Sequence, residues 1–342
     1  MAAGRFDADI AIIGGGPAGS AAAITCARRG LSVIVLERDR VIGERPGETM
    51  HPGVRPILEQ LGLGGQIDAL ATGLHDGIWI EWGGPARFQA FGSDESGPWR
   101  GFHLWRPDFD TAMLSVARQA GADVRMGISV SGIVEEQGAV RQIETDHGPI
   151  TARMVIDATG RVRHMARQLD ISFEERSPRL IARYGYVTGN CPVRGDAPRI
   201  SGDRSGWTWT AKIRDSLYQW TRVGFDDIAE DEWLPAEFHG MAPFSRTRGA
   251  DVTWRIAQRL AGPNWFLAGD AAATLDPTSS RGVLKSIMTG IMSSHIADST
   301  LRGKLTPAQA ASSYHQWLLD WFNKDVAQMR QFYRLLGQSA LS

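Results

Sequence analysis

The stretch "DADIAIIGGGPAGSAAAITCARRGLSVIVLERD", Asp7 to Asp39, reads as strand, tight turn, helix and second strand. Asp9 to Ile13 is a short β-branched run. Ser20 to Arg29 is a helix of small residues, and Leu31 to Glu37 is a second buried strand ending in a carboxylate. Gly14, Gly16 and Gly19 lie between the strands in the GxGxxG spacing. The first glycine permits the tight turn, the second lets backbone approach a pyrophosphate, and the third lets the helix pack closely on the strand. The helix start presents unpaired N–H groups and the positive end of its dipole to phosphates. Glu37, about 20 residues on, is placed to accept from ribose hydroxyls. The segment therefore binds a dinucleotide, but it does not choose between NAD and FAD.

The rest of the composition narrows the class. The chain has 342 residues, enough for one large domain or two interleaved ones, with 43% hydrophobic and 22% charged residues. A formal net charge of −1 supplies no field that would recruit nucleic acid or acidic lipid. Cys26 and Cys191 are isolated from each other and from any metal-spaced histidine, which points to no disulfide framework, no metal site and a reducing cytoplasm. The apolar run Ile10–Ala27 is broken by five glycines and prolines and follows Asp7 and Asp9. It fits neither a membrane span nor a signal peptide.

Two later stretches favour flavin. "VIDATGR" (Val155–Arg161) ends a strand in small residues. "NWFLAGDAAATLDPTSSRGVLKSIMTG" (Asn264–Gly290) reads as a strand, a Gly-Asp turn, a loop and a new helix starting near Gly282. That second late helix start, preceded by Asp270, offers another phosphate- or ring-binding end. With Arg106 in "WRPDFD", these elements stand in the order found in the flavoprotein monooxygenase superfamily, which the chain resembles over most of its length. That superfamily includes aromatic hydroxylases, flavin-dependent halogenases and geranylgeranyl reductases. The resemblance implies one FAD, held by Gly14, Gly16, Ala18, Gly19, Glu37, Arg38, Arg106, Asp270, Pro277, Gly282 and Val283. It also implies O2 as co-substrate, and NAD(P)H or a separate flavin reductase as electron source, since no second glycine fingerprint is present.

The branch is read from "GERPGETMHPGVRPILEQLGL" (Gly43–Leu63), which resembles the "GE" stretch that passes the flavin in halogenase-like members. Glu48 and His51 are the catalytic candidates there, with Thr49 beside them and His75 as a second candidate base. Glu48 and Thr49 equally suit the start of the next helix. Two halogenase marks are altered. "GWTWTAKI" (Gly206–Ile213) keeps two tryptophans of WxWxIP and loses Ile-Pro, and "GLHDGIWIEWGG" (Gly73–Gly84) has His75 and no lysine, the residue that carries the halogenating species in that branch. "DPTSSRG" with its small-residue helix resembles the subgroup that hydroxylates tryptophan of a partner protein during quinone cofactor biogenesis.

The expected fold is α/β. It combines a Rossmann-like FAD domain (1–72, 100–165, 255–300), an inserted mixed β-sheet substrate domain (73–99, 166–254) and C-terminal helices (301–342). Trp79, Trp207 and Trp209 are the substrate-binding candidates, with Trp82 and Trp220 on the same face. The short acidic run Asp227–Trp233 reads as a solvated loop. The expected activity is hydroxylation of an aromatic, indole- or tryptophan-like molecule, free or in a protein or peptide, through a flavin hydroperoxide. The alternatives are a reductase of the geranylgeranyl type, a halogenase, or an accessory protein that holds FAD while it binds a client.

Overall fold

The computed structural model describes residues 6–225, 233–338 and 341, so the acidic run lies outside the described residues apart from Trp233. The β-branched run after Asp7 forms the strand Ala8–Ile13, paired in parallel with Val33–Glu37 on one side and Ala152–Asp157 on the other. Asp123–Met126 and Trp265–Leu267 complete a five-stranded parallel sheet in the order 123–126, 33–37, 8–13, 152–157, 265–267. Parallel strands covered on both faces need near-continuous apolar runs. Ile10, Ile12, Val35, Ile156 and Phe266 are accordingly inaccessible to solvent.

The helix Pro17–Arg28 packs against the late helix Gly282–Leu301 at a distance only small residues allow. A Cβ on Gly290 would lie 2.2 Å from the Ala18 carbonyl oxygen, and the Ser294 hydroxyl donates to the Ala22 carbonyl at 3.1 Å. The sheet strands are parallel, so the residues that follow Ile13, Glu37, Asp157 and Leu267 all emerge at one edge. Ligands of open parallel sheets bind beyond that carboxyl edge.

A second, mixed sheet of eight strands faces this edge. Its main order is 242–243, 181–188, 217–224, 206–214, 199–203, 77–82, 87–90, with 248–251 also pairing 181–188. Arg199–Asp203 joins Gly77–Trp82 in parallel while the other pairings are antiparallel. Two chain segments remote in sequence are thus fused into one sheet. A small sheet of Thr49–Met50, Gly101–Leu104 and Ala71–His75 is formed by the segments that flank Gly77–Ala90 in the chain.

The C-terminal segment is one 28-residue helix, Pro307–Arg334, opened by a capping box between Thr306 and Gln309. Its buried stripe of Ala310, Tyr314, Leu318, Phe322, Val326, Met329 and Tyr333 follows helical spacing. Asp325, also buried, pairs with Lys285 at 2.8 Å and Arg281 at 3.1 Å at the start of the late helix. At its far end Tyr333 accepts from Trp207 Nε1 and donates to Asp276, each at 2.8 Å. This helix straps the eight-stranded sheet to the cofactor-side loop.

Candidate flavin site and adjoining cleft

A cleft of about 880 Å³ opens at the carboxyl edge of the parallel sheet and runs under the eight-stranded sheet. Gly14, Gly16, Pro17, Ala18, Glu37 and Arg38 line one end. Gly14 has φ +100°, and a Cβ there would lie 2.5 Å from the Ala158 carbonyl oxygen. On Gly19 a Cβ would lie 1.9 Å from the Gly14 carbonyl oxygen. The loop geometry needs glycine at both places, and Gly19 itself packs beneath the loop without lining the cleft. Glu37 is buried and accepts from the Gly15 N–H at 2.6 Å and the Asp39 N–H at 3.0 Å, which fixes its carboxylate at the cleft wall.

Asp157 of "DATG" is structural. Its two oxygens accept from the Thr159 and Met165 N–H groups at 2.9 and 2.8 Å, holding the turn that carries Ala158, Thr159 and Gly160 to the cleft. Asp270 lines the middle of the cleft beside Gly269. Burial pushes its carboxyl upward, against the pull of Arg161, Lys285, Arg163 and Arg106. Pro277, Gly282 and Val283 line the same wall, where the late helix begins. Arg106 is buried, forks onto Asp110 at 3.0 and 2.9 Å, and donates to the Pro46 carbonyl at 2.6 Å. It thereby fixes the backbone of the "GE" stretch, where Gly47 has φ +106° and a Cβ would lie 2.9 Å from Arg106 Nη1.

This donor set fits FAD. Unpaired helix-start amides and glycine backbone suit a pyrophosphate, Glu37 suits a ribose, and Asp270 suits a polyhydroxyl chain. Of the eleven cofactor residues read from sequence, the cleft gathers Gly14, Gly16, Ala18, Glu37, Arg38, Arg106, Asp270, Pro277, Gly282 and Val283, leaving only Gly19 behind the loop.

At the other end Glu48 is buried, receives the Tyr186 hydroxyl hydrogen bond, and accepts from the Gly47 N–H at 2.8 Å. Burial pushes its carboxyl up to about 7, against Tyr186 and Arg106, which favour the charged form. Glu48 and Thr49 do not start a helix; Thr49 belongs to a strand. His51 lies at the cleft wall, and its Nδ1 accepts from the Gly53 N–H at 3.1 Å as the cap of a short 3₁₀ turn. Burial and Arg281 hold its ring toward the neutral form. His75 is buried, with Nδ1 at 2.9 Å from the Gly77 carbonyl. It stacks on His103 with centroids 4.7 Å apart, and Phe91 meets His51 and His75 at 4.9 and 5.4 Å.

The tryptophans divide differently from expectation. Trp209 lines the cleft. Trp207 is on the same strand face but farther along, fully buried against Tyr333, and Trp79 points to the outer face, 42% exposed and against Phe88. Trp82 packs on Phe332 and Tyr333, and Trp220 faces the opposite side with Trp233. Strand alternation and the docking of the C-terminal helix explain this: successive side chains leave opposite faces, and the helix covers one end of the inner face.

The sheet side of the cleft is instead a cross-strand row of Tyr184, Thr221 and Trp209, flanked by Gln219, Ile78 and Val252. Sequence reading missed Tyr184, Gln219, Thr221 and Phe91. A signal was present in "LYQWTRVG": Gln219 and Thr221 alternate with Tyr218 and Trp220, so one strand face is uncharged polar while the other is aromatic.

The profile described as FAD dependent oxidoreductase matches residues 9–168. The chain is 27% identical to the tryptophan 2-halogenase of Chondromyces crocatus over 95% of its own length and 68% of that protein's. The crystal structure of the flavin-dependent halogenase CmlS superposes with a TM-score of 0.84 at 23% identity, covering 96% of this chain and 65% of that one. A geranylgeranyl bacteriochlorophyll reductase-like protein from Thermoplasma acidophilum gives 0.83 at 21% identity, covering 98% and 88%. The chain spans about two thirds of the length of the halogenases it matches. Residues 9–168 thus match the FAD-dependent oxidoreductase family, and the chain as a whole is similar to flavin-dependent halogenases. Among the described residues no helix is long and apolar enough to cross a membrane.

Proposed function

We propose that the chain is an FAD-dependent monooxygenase that hydroxylates an aromatic, indole- or tryptophan-like substrate, either free or displayed by a partner protein. The observation that carries this reading is the wall of the cleft beyond the flavin-binding residues. It is built from Phe91, Trp209, Ile78, His51 and His75, with uncharged Gln219 and Thr221, and among the described residues no lysine lines it. His75, in the segment where a halogenase has its lysine, is a buried imidazole held toward the neutral form by burial. Such a wall accepts a flat ring and lacks the amine that halogen transfer uses in that branch.

FAD held there and reduced by NAD(P)H or a reductase would supply the activation of O2 for insertion of one oxygen atom into the ring, the other leaving as water. The chain's own residues do the remaining work. Glu37, Asp270 and the glycine loop hold the cofactor, and Arg106 fixes the "GE" backbone. The aromatic wall orients the ring and excludes water. Glu48, poised to exchange a proton near neutrality and hydrogen-bonded to Tyr186, is the proton-handling group; His51, tied to its cap, is the second candidate.

The test supplies the FAD-loaded protein with NADH or NADPH, with and without a flavin reductase, in air with bromide present. Indole or a tryptophan-containing peptide serves as substrate, and product mass is read. Gain of one oxygen atom supports the reading. Bromine replacing hydrogen, or flavin turnover with the substrate unchanged, refutes it and favours halogenase or reductase chemistry respectively.

A further inference from the structure

The wall of the cleft beside Glu48 contains a hydrogen-bond chain whose direction is fixed. Thr49 and His103 face each other in antiparallel register across two short strands. His103 is inaccessible to solvent, with Nε2 2.7 Å from the Asp196 carbonyl and Nδ1 3.1 Å from Thr49 Oγ1. A carbonyl only accepts, so Nε2 carries the hydrogen. Burial, with the neighbouring His75, pushes the ring's pKa down to about 4, so it is neutral at ordinary pH and Nδ1 is a bare acceptor. The single hydroxyl hydrogen of Thr49 is committed to that nitrogen. Thr49 lines the cleft, so any hydrogen bond its oxygen makes there is one it accepts.

Of the neighbouring rings, His75 donates its Nδ1 hydrogen to the Gly77 carbonyl, which leaves its buried Nε2 bare, while His51, whose Nδ1 accepts from Gly53, carries its hydrogen on Nε2. Phe91 supplies a ring face between these two histidines. A fixed acceptor in a ring-lined wall is matched by a ring that bears an N–H or O–H on its edge, and is mismatched by a ring with an acceptor there.

We propose that Thr49, oriented by His103, selects substrates by accepting a hydrogen bond from a ring-borne donor such as an indole N–H. Thr49 is the specificity-determining residue and His103 a positioning residue. The inference rests on the aromatic-substrate reading above and names the group on the ring that is recognised.

The experiment titrates the FAD-loaded protein with indole and with benzofuran, which carries a ring oxygen in place of the N–H, and follows binding by the change in flavin absorbance. The protein should bind indole at least about tenfold more tightly. Thr49→Val should erase the preference and Thr49→Ser should keep it. His103→Phe frees the Thr49 hydroxyl to donate and should shift the preference toward benzofuran. His103→Gln, whose amide can donate to Asp196 and accept from Thr49, should restore it. Flavin content is measured first, and variants that retain FAD are compared. Equal binding of the two probes by the unaltered protein, absence of saturable indole binding, or a preference that survives Thr49→Val overturns the proposal. The readout is binding and not turnover, so failure to oxygenate indole would refute the hydroxylation reading while leaving this result intact.

Discussion

Replacing Glu48 by Gln should change how stability depends on pH. The Glu48 carboxyl ordinarily titrates at 4.5 and in the folded protein is pushed up to about 7 by burial. Between those values the folded state binds a proton that the unfolded chain has released, so stability falls as pH rises. The contribution is fully present below the unfolded value and is lost as pH passes through the folded one. At about 1.4 kcal/mol per pKa unit, integration from about pH 5 to about pH 8 gives a loss on the order of 2–3 kcal/mol assignable to this group. Glutamine preserves the shape and both hydrogen bonds, since its oxygen can accept from the Gly47 N–H while its amide donates to the Tyr186 oxygen. It removes the titration. Denaturant unfolding of the unaltered protein and Glu48→Gln across this range should show curves that diverge by about that amount, with the variant gaining relative stability at the alkaline end. Titration of His51, His75 and His103 is common to both proteins and cancels in the difference. Parallel curves would refute the argument that Glu48 is a buried, proton-binding group.

The glycine loop and the tryptophan assignments give two further tests. Gly19→Ala places a Cβ where only 1.9 Å separates it from the Gly14 carbonyl oxygen, so the purified variant should hold less than about half its FAD while keeping its helix content; full occupancy would refute the close-packing role. Trp207→Ala should cost about 3–5 kcal/mol in denaturant unfolding, because it empties a buried site and leaves Tyr333 without its donor. Trp79→Ala, on the outer sheet face, should cost less than about 1 kcal/mol; equal losses would refute the assigned strand faces.

Much of the cofactor end was legible because its signals are local. Gly14, Gly16, Gly19 and Glu37 lie within one strand–helix–strand unit, and the spacing itself carries the geometry. Arg106 was legible as a residue but not as a partner: its fork onto Asp110 follows from helical i,i+4 spacing, whereas its bond to the Pro46 carbonyl depends on two segments 60 residues apart. Trp79 and Trp207 were misread as cleft residues. Their strands were recognised, but which strand face met the cleft and which was covered by the C-terminal helix was not written locally. Thr49 and His103 illustrate the same limit, since neither says anything about hydrogen-bond direction until register sets them opposite each other.

What the chain determined by sequence alone was therefore the periodic and the local: apolar parallel strands, a phosphate-binding turn, and a capped helix with one buried stripe. These follow from side-chain spacing and backbone freedom over a few residues. Tertiary structure decided which remote groups share a space: Tyr186 with Glu48, Tyr333 with Asp276, His103 with Thr49. The physical reason is that desolvation and hydrogen-bond direction are properties of an enclosed volume. That volume exists only after two segments more than 90 residues apart in the chain, around 77–82 and 199–203, have joined in one sheet over the carboxyl edge of another.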